Sequence, residues 1–392
     1  MIKAVSLFTL ETETPEEALE DILSQLTEKI ELQKYTAGIL HCGYDAMESG
    51  AASRVCEGVG FPVVGCTSVA QAVNEAADGW MLTLMVLTSD DVKFFETHTE
   101  GLAEDLEEAV ERSFPDAAQN DPEFPVKLIL AFSPLLEQCA GDDYLRAFQA
   151  VFGKVPVFGS LAVEDEMLDF SRNATLCNGE YFSEECVYLL LCGNVSPRFF
   201  VDIPSVDSHL MEAGIITKSR QNVLQEIDGV RTDTFFERIG LAQNGALSGG
   251  VEYVPFILRI PENEGREEVR ICRGAEGFHE DGGVVFRGVM PEDVILSVGV
   301  VSPESVEAAA RERAGLLNQE HRAAAVLMYS CIVRRNVLGV TPMAELGALR
   351  ETIRPDIPFF AAYSGGEFCP TRLTDGEVTN LFHNFALVTC VL

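Results

Sequence analysis

The chain has 392 residues, 47% of them hydrophobic, and a formal net charge of −34 from 62 acidic and 28 basic residues. This length allows two or three domains with a substantial core. The acidic balance disfavours binding to nucleic acids and to anionic membrane surfaces, because both depend on Lys and Arg side chains. No apolar run reaches the roughly 18 residues that a membrane-spanning helix needs.

The cysteine content indicates the cellular compartment. The sequence has 11 Cys, and several of them lie in apolar, strand-like segments, where Cys behaves as a small hydrophobic residue. The N-terminal residues lack the features of a secretory signal peptide. We therefore expect a cytoplasmic protein with reduced, buried thiols.

The first predicted element is a helix that begins at Thr14 and Pro15. Pro is favoured at the first helical position, and Glu17 stands where a capping box requires an acidic residue. An apolar face then recurs at helical spacing, formed by Ala18, Ile22, Leu26 and Ile30. This spacing predicts an amphipathic helix that packs on the core through one side.

Three later segments of the chain share one pattern. Each begins with a short apolar strand, at Ile39–Cys42, Leu128–Phe132 and Val326–Tyr329. Each continues, after a polar or helical stretch, with small residues behind an apolar pair, at Pro62–Ser68 (PVVGCTS), Pro156–Ala162 (PVFGSLA) and Pro358–Ser364 (PFFAAYS). Each ends in another apolar strand, at Met81–Leu87, Val187–Cys192 and Ala386–Val391. The repeat predicts three strand–helix–strand units with parallel strand pairs.

The remaining segments complete the fold prediction. Further amphipathic helices are expected after Asp142, Ser302 and Thr341, and short strands between residues 217 and 300 are separated by Gly, Pro and acidic turns. These elements predict an α/β (mixed α+β) fold, with large mixed sheets flanked by helices in a layered sandwich. A break at Asp202–Gly214 indicates two domains, residues 1–205 and 206–392.

Several motifs argue against common chemistries. The Gly-rich turns lack the phosphate-binding patterns of nucleotide sites, and no Cys pair has the spacing of a zinc site. We therefore expect neither a cofactor nor a metal ion. The sequence GGEF at Gly365–Phe368 lacks one acidic residue of the diguanylate cyclase signature and is interpreted as a tight turn that projects Glu367. Cys66 and Cys331 each follow a strand, so a cysteine nucleophile stays open as an alternative.

Polar residues of the third repeat form the main candidate site. Arg334 follows its first strand, Glu367 follows its second, and His383 and Asn384 precede its last. Because the carboxyl ends of parallel strands lie side by side, Arg334 and Glu367 are expected to be close. One interpretation is a structural ion pair between them. The other is a ligand site in which Arg334 binds a carboxylate and Glu367 binds an ammonium group, with Asn384 beside them.

The same residues carry a resemblance to a known family. Three segments resemble the C-terminal signature of FIST domains: Ser330–Gly339 (SCIVRRNVLG), Gly365–Phe368 and Phe382–Leu387 (FHNFAL). The positions that match that signature are Cys331, Arg334, Leu338–Gly339, Gly366–Glu367 and His383–Asn384. Segments resembling the N-terminal domain of the family are Val63–Ser68, Pro156–Ser160 and Cys177–Glu180. The resemblance implies a FIST N-type domain over residues 1–205 and a FIST C-type domain over residues 206–392.

FIST domains are regarded as sensory modules of signal transduction that bind small ligands such as amino acids. The resemblance therefore implies a ligand-sensing protein and does not imply an enzyme. Members of the family are often fused to output domains, for which this sequence has no residues left, so we expect a standalone sensor whose signal passes to a separate partner protein. The expected ligand is an amino acid or a similar small zwitterion or carboxylate. The residues expected to contact it are Arg334, Glu367, Asn384, Cys331, Ser364, His383 and Gly366, with Gly65, Cys66 and Thr67 as a second wall or a second site.

Two alternatives remain open at this point. One is an enzyme that uses Cys66 or Cys331 as its nucleophile. The other is a scaffold without a small ligand, in which the pocket is filled by side chains.

Overall fold

The computed structural model describes residues 1–101, 105–136, 139–164, 172–204, 206, 210–260, 268–320, 323–373 and 376–392. Within these residues the fold is mixed α/β, as predicted. Its helices are α1 (Pro15–Lys29), α2 (Tyr44–Glu48), α3 (Ala51–Val59), α4 (Leu106–Ser113), α5 (Asp116–Gln119), α6 (Gly141–Phe152), α7 (Thr232–Arg238), α8 (Pro303–Leu317), α9 (Ile332–Val337) and α10 (Ala344–Thr352). None of the helices in the described segments is long and apolar enough to cross a membrane.

The three repeats form three sheets. The first two strands of each repeat are parallel neighbours: β2 (Tyr35–Cys42) with β3 (Val63–Thr67), β8 (Val126–Ser133) with β9 (Val157–Leu161), and β24 (Val326–Cys331) with β25 (Phe359–Ser364). The last strand of each repeat pairs antiparallel with the first: β6 (Leu82–Ser89), β12 (Val187–Gly193) and β28 (Leu387–Val391). The predicted parallel pairs are confirmed.

Each sheet is completed by strands from other parts of the chain. The outer strands, beside β6, β12 and β28, are β1 (Lys3–Thr9), β7 (Val92–His98) and β13 (Arg198–Asp202). A hairpin follows the second strand of each repeat: β4 (Gln71–Val73) with β5 (Ala77–Asp78), β10 (Thr175–Cys177) with β11 (Glu180–Phe182), and β26 (Glu367–Arg372) with β27 (Val378–His383). All three sheets then have the same order of outer, last, first and second strand, followed by a hairpin.

The hairpins are exchanged in a cycle among the repeats. The hairpin of the first repeat pairs with β25 of the third, that of the second pairs with β3 of the first, and that of the third pairs with β9 of the second. In addition, β7 and β13 follow the first and second repeats and pair with the sheets of the second and third. Consequently the N-terminal and C-terminal halves of the chain are interlocked through shared sheets.

Helices cover the outer faces of the sheets, and the inner faces meet in one core. The pairs α1 and α3, α4 and α6, and α8 and α10 each pack on one sheet through apolar residues. At the centre, His41, Phe132 and Tyr329 hold the same register position in the three repeats. Their ring centroids lie 5.2, 5.5 and 6.1 Å apart, which are favourable distances for edge-to-face packing.

A fourth, antiparallel sheet is inserted between β13 and α8. Its strands are β14 (Leu210–Arg220), β15 (Val223–Ile227), β16 (Val230–Arg231), β19 (Phe256–Ile260), β20 (Val269–Arg273), β21 (Ala275–Phe278), β22 (Val284–Phe286) and β23 (Ile295–Gly299). A small ladder of β17 (Ala242–Gln243) and β18 (Ala246–Leu247) lies beside it. Buried Phe235, Phe236, Phe256 and Phe286 fill its core. The sheet also places Arg273 against the end of β27, since Arg273 Nη1 donates a hydrogen bond of 2.7 Å to the carbonyl of Phe382.

Candidate functional site

Polar side chains collect where β24 and β25 end. The two strands end at Cys331 and Ser364, β26 starts at Glu367, and His383 ends β27. The helix α9 starts directly after β24 and carries Arg334. We call the set Cys331, Arg334, Ser364, Glu367, His383 and Asn384 the polar cluster, and each of these residues is at most 3% exposed. The structure therefore brings together the residues that the C-terminal pattern indicated.

Arg334 is paired with a residue that the sequence pattern did not indicate. Its Nε and Nη2 donate to Glu345 Oε1 at 3.0 and 2.6 Å, and Ser330 Oγ donates to Glu345 Oε2 at 2.8 Å. The ion pair suggested between Arg334 and Glu367 is therefore not the one that forms. Burial acts to lower the pKa of Arg334, but the charge and hydrogen bonds of Glu345 outweigh it. A sequence signal for Glu345 existed, because it lies one helical turn before buried Leu349 on the inward face of α10.

Glu367 is held without a full counter-charge. Ser364 Oγ donates to Glu367 Oε1 at 2.6 Å and also lies 3.1 Å from the carbonyl oxygen of Ser330. Glu367 Oε2 receives no hydrogen bond of ordinary geometry. Burial raises the pKa of Glu367 well above its usual value, although Ser364 and the charge of Arg334 oppose this shift. Burial therefore favours the neutral, protonated form of this carboxyl group.

His383 and Asn384 close the polar cluster on the other side. His383 Nε2 lies 2.9 Å from Thr371 Oγ1, and burial, with the nearby charge of Arg273, lowers the pKa of His383 to about 3. The imidazole is therefore neutral. Asn384 is 3% exposed, and neither Oδ1 nor Nδ2 of its side chain has a hydrogen-bond partner among the described residues.

Unpaired polar atoms are concentrated in this cluster. Of the buried side-chain atoms without a hydrogen-bond partner among the described residues, five belong to this cluster: Arg334 Nη1, Glu367 Oε2, His383 Nδ1, Asn384 Oδ1 and Asn384 Nδ2. Each buried polar atom without a partner costs about 1–3 kcal/mol. Native proteins keep such groups rarely, so a cluster of them calls for an explanation. The set includes donors and acceptors, so it suits a ligand that carries both.

The N-terminal residues Gly65, Cys66 and Thr67 take part in packing. A Cβ on Gly65 would overlap the carbonyl of Leu40, so glycine permits close contact between β2 and β3. Thr67 Oγ1 accepts a hydrogen bond of 3.1 Å from the amide of Ala174. The contacts that the structure gives for these residues are with the central core and not with the polar cluster.

Cys66 lies next to a histidine, as in a catalytic pair, but both groups are neutral. Its Sγ is 3.5 Å from His41 Nδ1 and 3.7 Å from Ser160 Oγ. Burial raises the pKa of Cys66 to about 12 and lowers the pKa of His41 to about 3. Burial, followed by the charge of Glu367, also raises the pKa of Cys331 well above its usual value. Neither thiol is activated as a nucleophile.

No metal site accompanies the polar cluster. The described segments contain no group of three or more His, Cys, Asp or Glu residues placed to hold a metal ion. All 11 Cys are free thiols.

Comparison with protein families identifies the family to which the chain belongs. The FIST N domain matches residues 36–230, and the FIST C domain matches residues 233–370. No curated protein matches the chain. FIST domains are sensory domains of signal transduction and are linked to small-ligand sensing. Since the two domains follow in order and cover nearly the whole sequence, the chain belongs to the FIST family.

Proposed function

We propose that the protein senses an amino acid or a similar small zwitterion, which binds in the polar cluster. The observation that supports this most is the set of five buried polar atoms without partners. Arg334 Nη1 and Asn384 Nδ2 are donors suited to a carboxylate. Glu367 Oε2 and Asn384 Oδ1 are acceptors suited to an ammonium group.

The charges of the cluster favour a ligand without net charge. Arg334 is balanced by Glu345 at 2.6 Å, with both side chains fully buried. Burial raises the pKa of Glu367 and so favours its neutral form in the empty site. A zwitterion adds one charge of each sign and leaves this balance unchanged, whereas a single added charge would stay uncompensated in a buried site.

A zwitterion adds no net charge to the site, so its binding should be accompanied by no proton exchange. A simple carboxylate adds one negative charge to a buried site, so its binding should be accompanied by uptake of a proton. Calorimetric titration in two buffers with different ionisation enthalpies measures this proton. The result separates the two ligand classes.

The other interpretations have less support. A cysteine nucleophile needs a thiolate, and burial raises the pKa of both Cys66 and Cys331. A scaffold without a ligand would leave the unpaired atoms of Asn384 without a benefit to offset their cost. We also propose that residues 1–205 and 206–392 work as one sensing unit, since β26 of the second part pairs with β9 of the first. A cytoplasmic location is in keeping with the free cysteines, and a separate output partner remains part of the proposal.

The test is a thermal-shift screen of the standard amino acids, followed by calorimetry on those that raise the melting temperature. Asn384→Leu should abolish binding and leave the fold intact or more stable, because Asn384 has no partner to lose. Thr389→Val is the matched control, since Thr389 Oγ1 is also buried without a partner but lies in β28 outside the cluster. That control should retain binding.

Two results would overturn the proposal. One is that no amino acid raises the melting temperature at millimolar concentration. The other is that Asn384→Leu binds the selected amino acid as tightly as the unmodified protein does.

A further inference from the structure

The polar cluster has no open path to solvent through its own residues, since all of them are at most 3% exposed. A ligand must therefore displace a side chain on its way in. A cleft of about 210 Å³ lies between the start of α6 and the fourth sheet. Gly365 and Phe382 form part of its wall, and both are chain neighbours of cluster residues or of Gly366.

Phe382 separates the cleft from Asn384. Its ring is 1% exposed and packs between two glycines. A Cβ on Gly141 would overlap the ring, and a Cβ on Gly366 would lie 2.5 Å from it. A Cβ on Gly366 would also lie 3.3 Å from Asn384 Nδ2. The ring of Phe382 and the amide of Asn384 therefore meet at the space that Gly366 leaves free.

We propose that this cleft is the entrance to the polar cluster and that Phe382 is the side chain that a ligand displaces. The inference rests on the proposed function, because it supposes that a small molecule enters the cluster. The ring contacts backbone, not side chains, at Gly141 and Gly366, so its motion leaves those two positions in place. The cleft on its other side offers space for the displaced ring.

The walls of the cleft suit the passage of a zwitterion. Arg146 is paired with Asp143 at 3.0 Å, and Arg287 is paired with Glu276 at 3.1 Å. Both pairs line the cleft. Charges of both signs can thus contact a carboxylate and an ammonium group before these reach the cluster.

The entrance can be tested by thiol labelling, which requires no knowledge of the ligand. Cys331 reports on the cluster, Cys139 lines the cleft, and Cys390 lies fully buried in the central core. Iodoacetamide is the probe, and mass spectrometry follows each thiol under native conditions. Phe382→Leu should accelerate the labelling of Cys331 by about tenfold or more, because local opening no longer requires the ring to move. Labelling of Cys139 and Cys390 should change little.

Phe368→Leu is the matched control. Phe368 packs 5.9 Å from Phe382 in the same core but does not line the cleft, so it should leave the Cys331 rate unchanged. Equal acceleration by both variants, or faster labelling of Cys390 as well, would indicate general loosening and overturn the inference. An unchanged Cys331 rate in Phe382→Leu would also overturn it.

The two proposals fail in different ways. If Asn384→Leu keeps full ligand affinity, the ligand site is wrong, whatever the labelling shows. If Phe382→Leu leaves Cys331 protected while Asn384→Leu loses binding, the site stands and the entrance lies elsewhere.

Discussion

The hairpins of the second and third repeats place a buried polar residue at the same register position and use it differently. Thr175 lies opposite Cys66, and Glu367 lies opposite Ser160, its equivalent in the second repeat. Thr175 Oγ1 donates to the carbonyl of Glu185 at 2.7 Å and lies 3.4 Å from that of Phe182. Glu367, in contrast, keeps an oxygen without a partner.

In the first repeat, the equivalent residue is only partly hydrogen-bonded. Gln71, opposite Ala362, donates through Nε2 to the carbonyl of Ser68 at 2.9 Å. Its Oε1 has no partner in the described part of the chain. Among the described residues of the three hairpin sites, further unpaired atoms collect beside Glu367, on Arg334, His383 and Asn384. The comparison supports the proposal that one architecture, used three times, serves stability in two repeats and binding in the third.

The largest expected effect comes from separating the halves that the exchanged hairpins join. A fragment of residues 1–205 lacks β26, which pairs with β9, and lacks β25 and β28, which pair with β4 and β13. We expect this fragment to lose its cooperative fold, because its sheets have unpaired edges and exposed inner faces. Circular dichroism and thermal denaturation measure the loss. Co-expression with residues 206–392 should restore a folded complex, and a fragment that folds alone would contradict the exchange.

A second prediction concerns the centre, where the first repeat has His41 and the second has Phe132. Burial lowers the pKa of His41 to about 3 from an ordinary 6.5. The unfolded chain therefore binds the proton that the folded protein excludes, and stability falls as the pH drops below 6.5. The contribution is about 1.4 kcal/mol per pH unit for each such histidine.

His41→Phe, which copies the second repeat, should reduce this slope in urea denaturation between the two pKa values. The variant also loses the hydrogen bonds of His41 to the Cys66 carbonyl and the Tyr329 hydroxyl, so its stability at neutral pH is compared separately. A slope equal to that of the unmodified protein would mean that His41 is charged in the folded state.

The smallest expected effects come from substitutions at the two equivalent hairpin residues, Thr175 and Glu367. Thr175→Val removes a satisfied hydroxyl and should destabilise the protein by about 1 kcal/mol. Glu367→Gln keeps the shape of a side chain whose neutral form is favoured by burial, so its effect at neutral pH should be smaller. Because the pKa of Glu367 is raised, the stabilising contribution of its neutral form is lost as the pH rises. The stability of the Glu367→Gln variant should therefore fall less with rising pH than that of the unmodified protein. Greater destabilisation by Glu367→Gln than by Thr175→Val would reverse the comparison.

Much of the local structure was predictable. Apolar strands followed by small-residue motifs indicated the three parallel pairs, because buried parallel strands are continuously apolar. The positions matching the FIST C signature indicated the residues that meet around Glu367. The partner of Arg334 was missed, since Glu345 lies on a separate helix and only its place on an apolar face indicated burial.

By itself, the sequence determined the strands, the helices, the family and the residues that compose the polar cluster, because local periodicity and short motifs encode these. Tertiary structure alone decided which sheet each hairpin joins. Strand pairing uses backbone hydrogen bonds common to all residues, so the sequence of a hairpin says little about which strand it pairs with. It also decided that His41 lies 3.2 Å from the hydroxyl of Tyr329, 288 positions away. The raised pKa of Glu367 likewise follows from burial, a property of the whole fold and not of its neighbours in sequence.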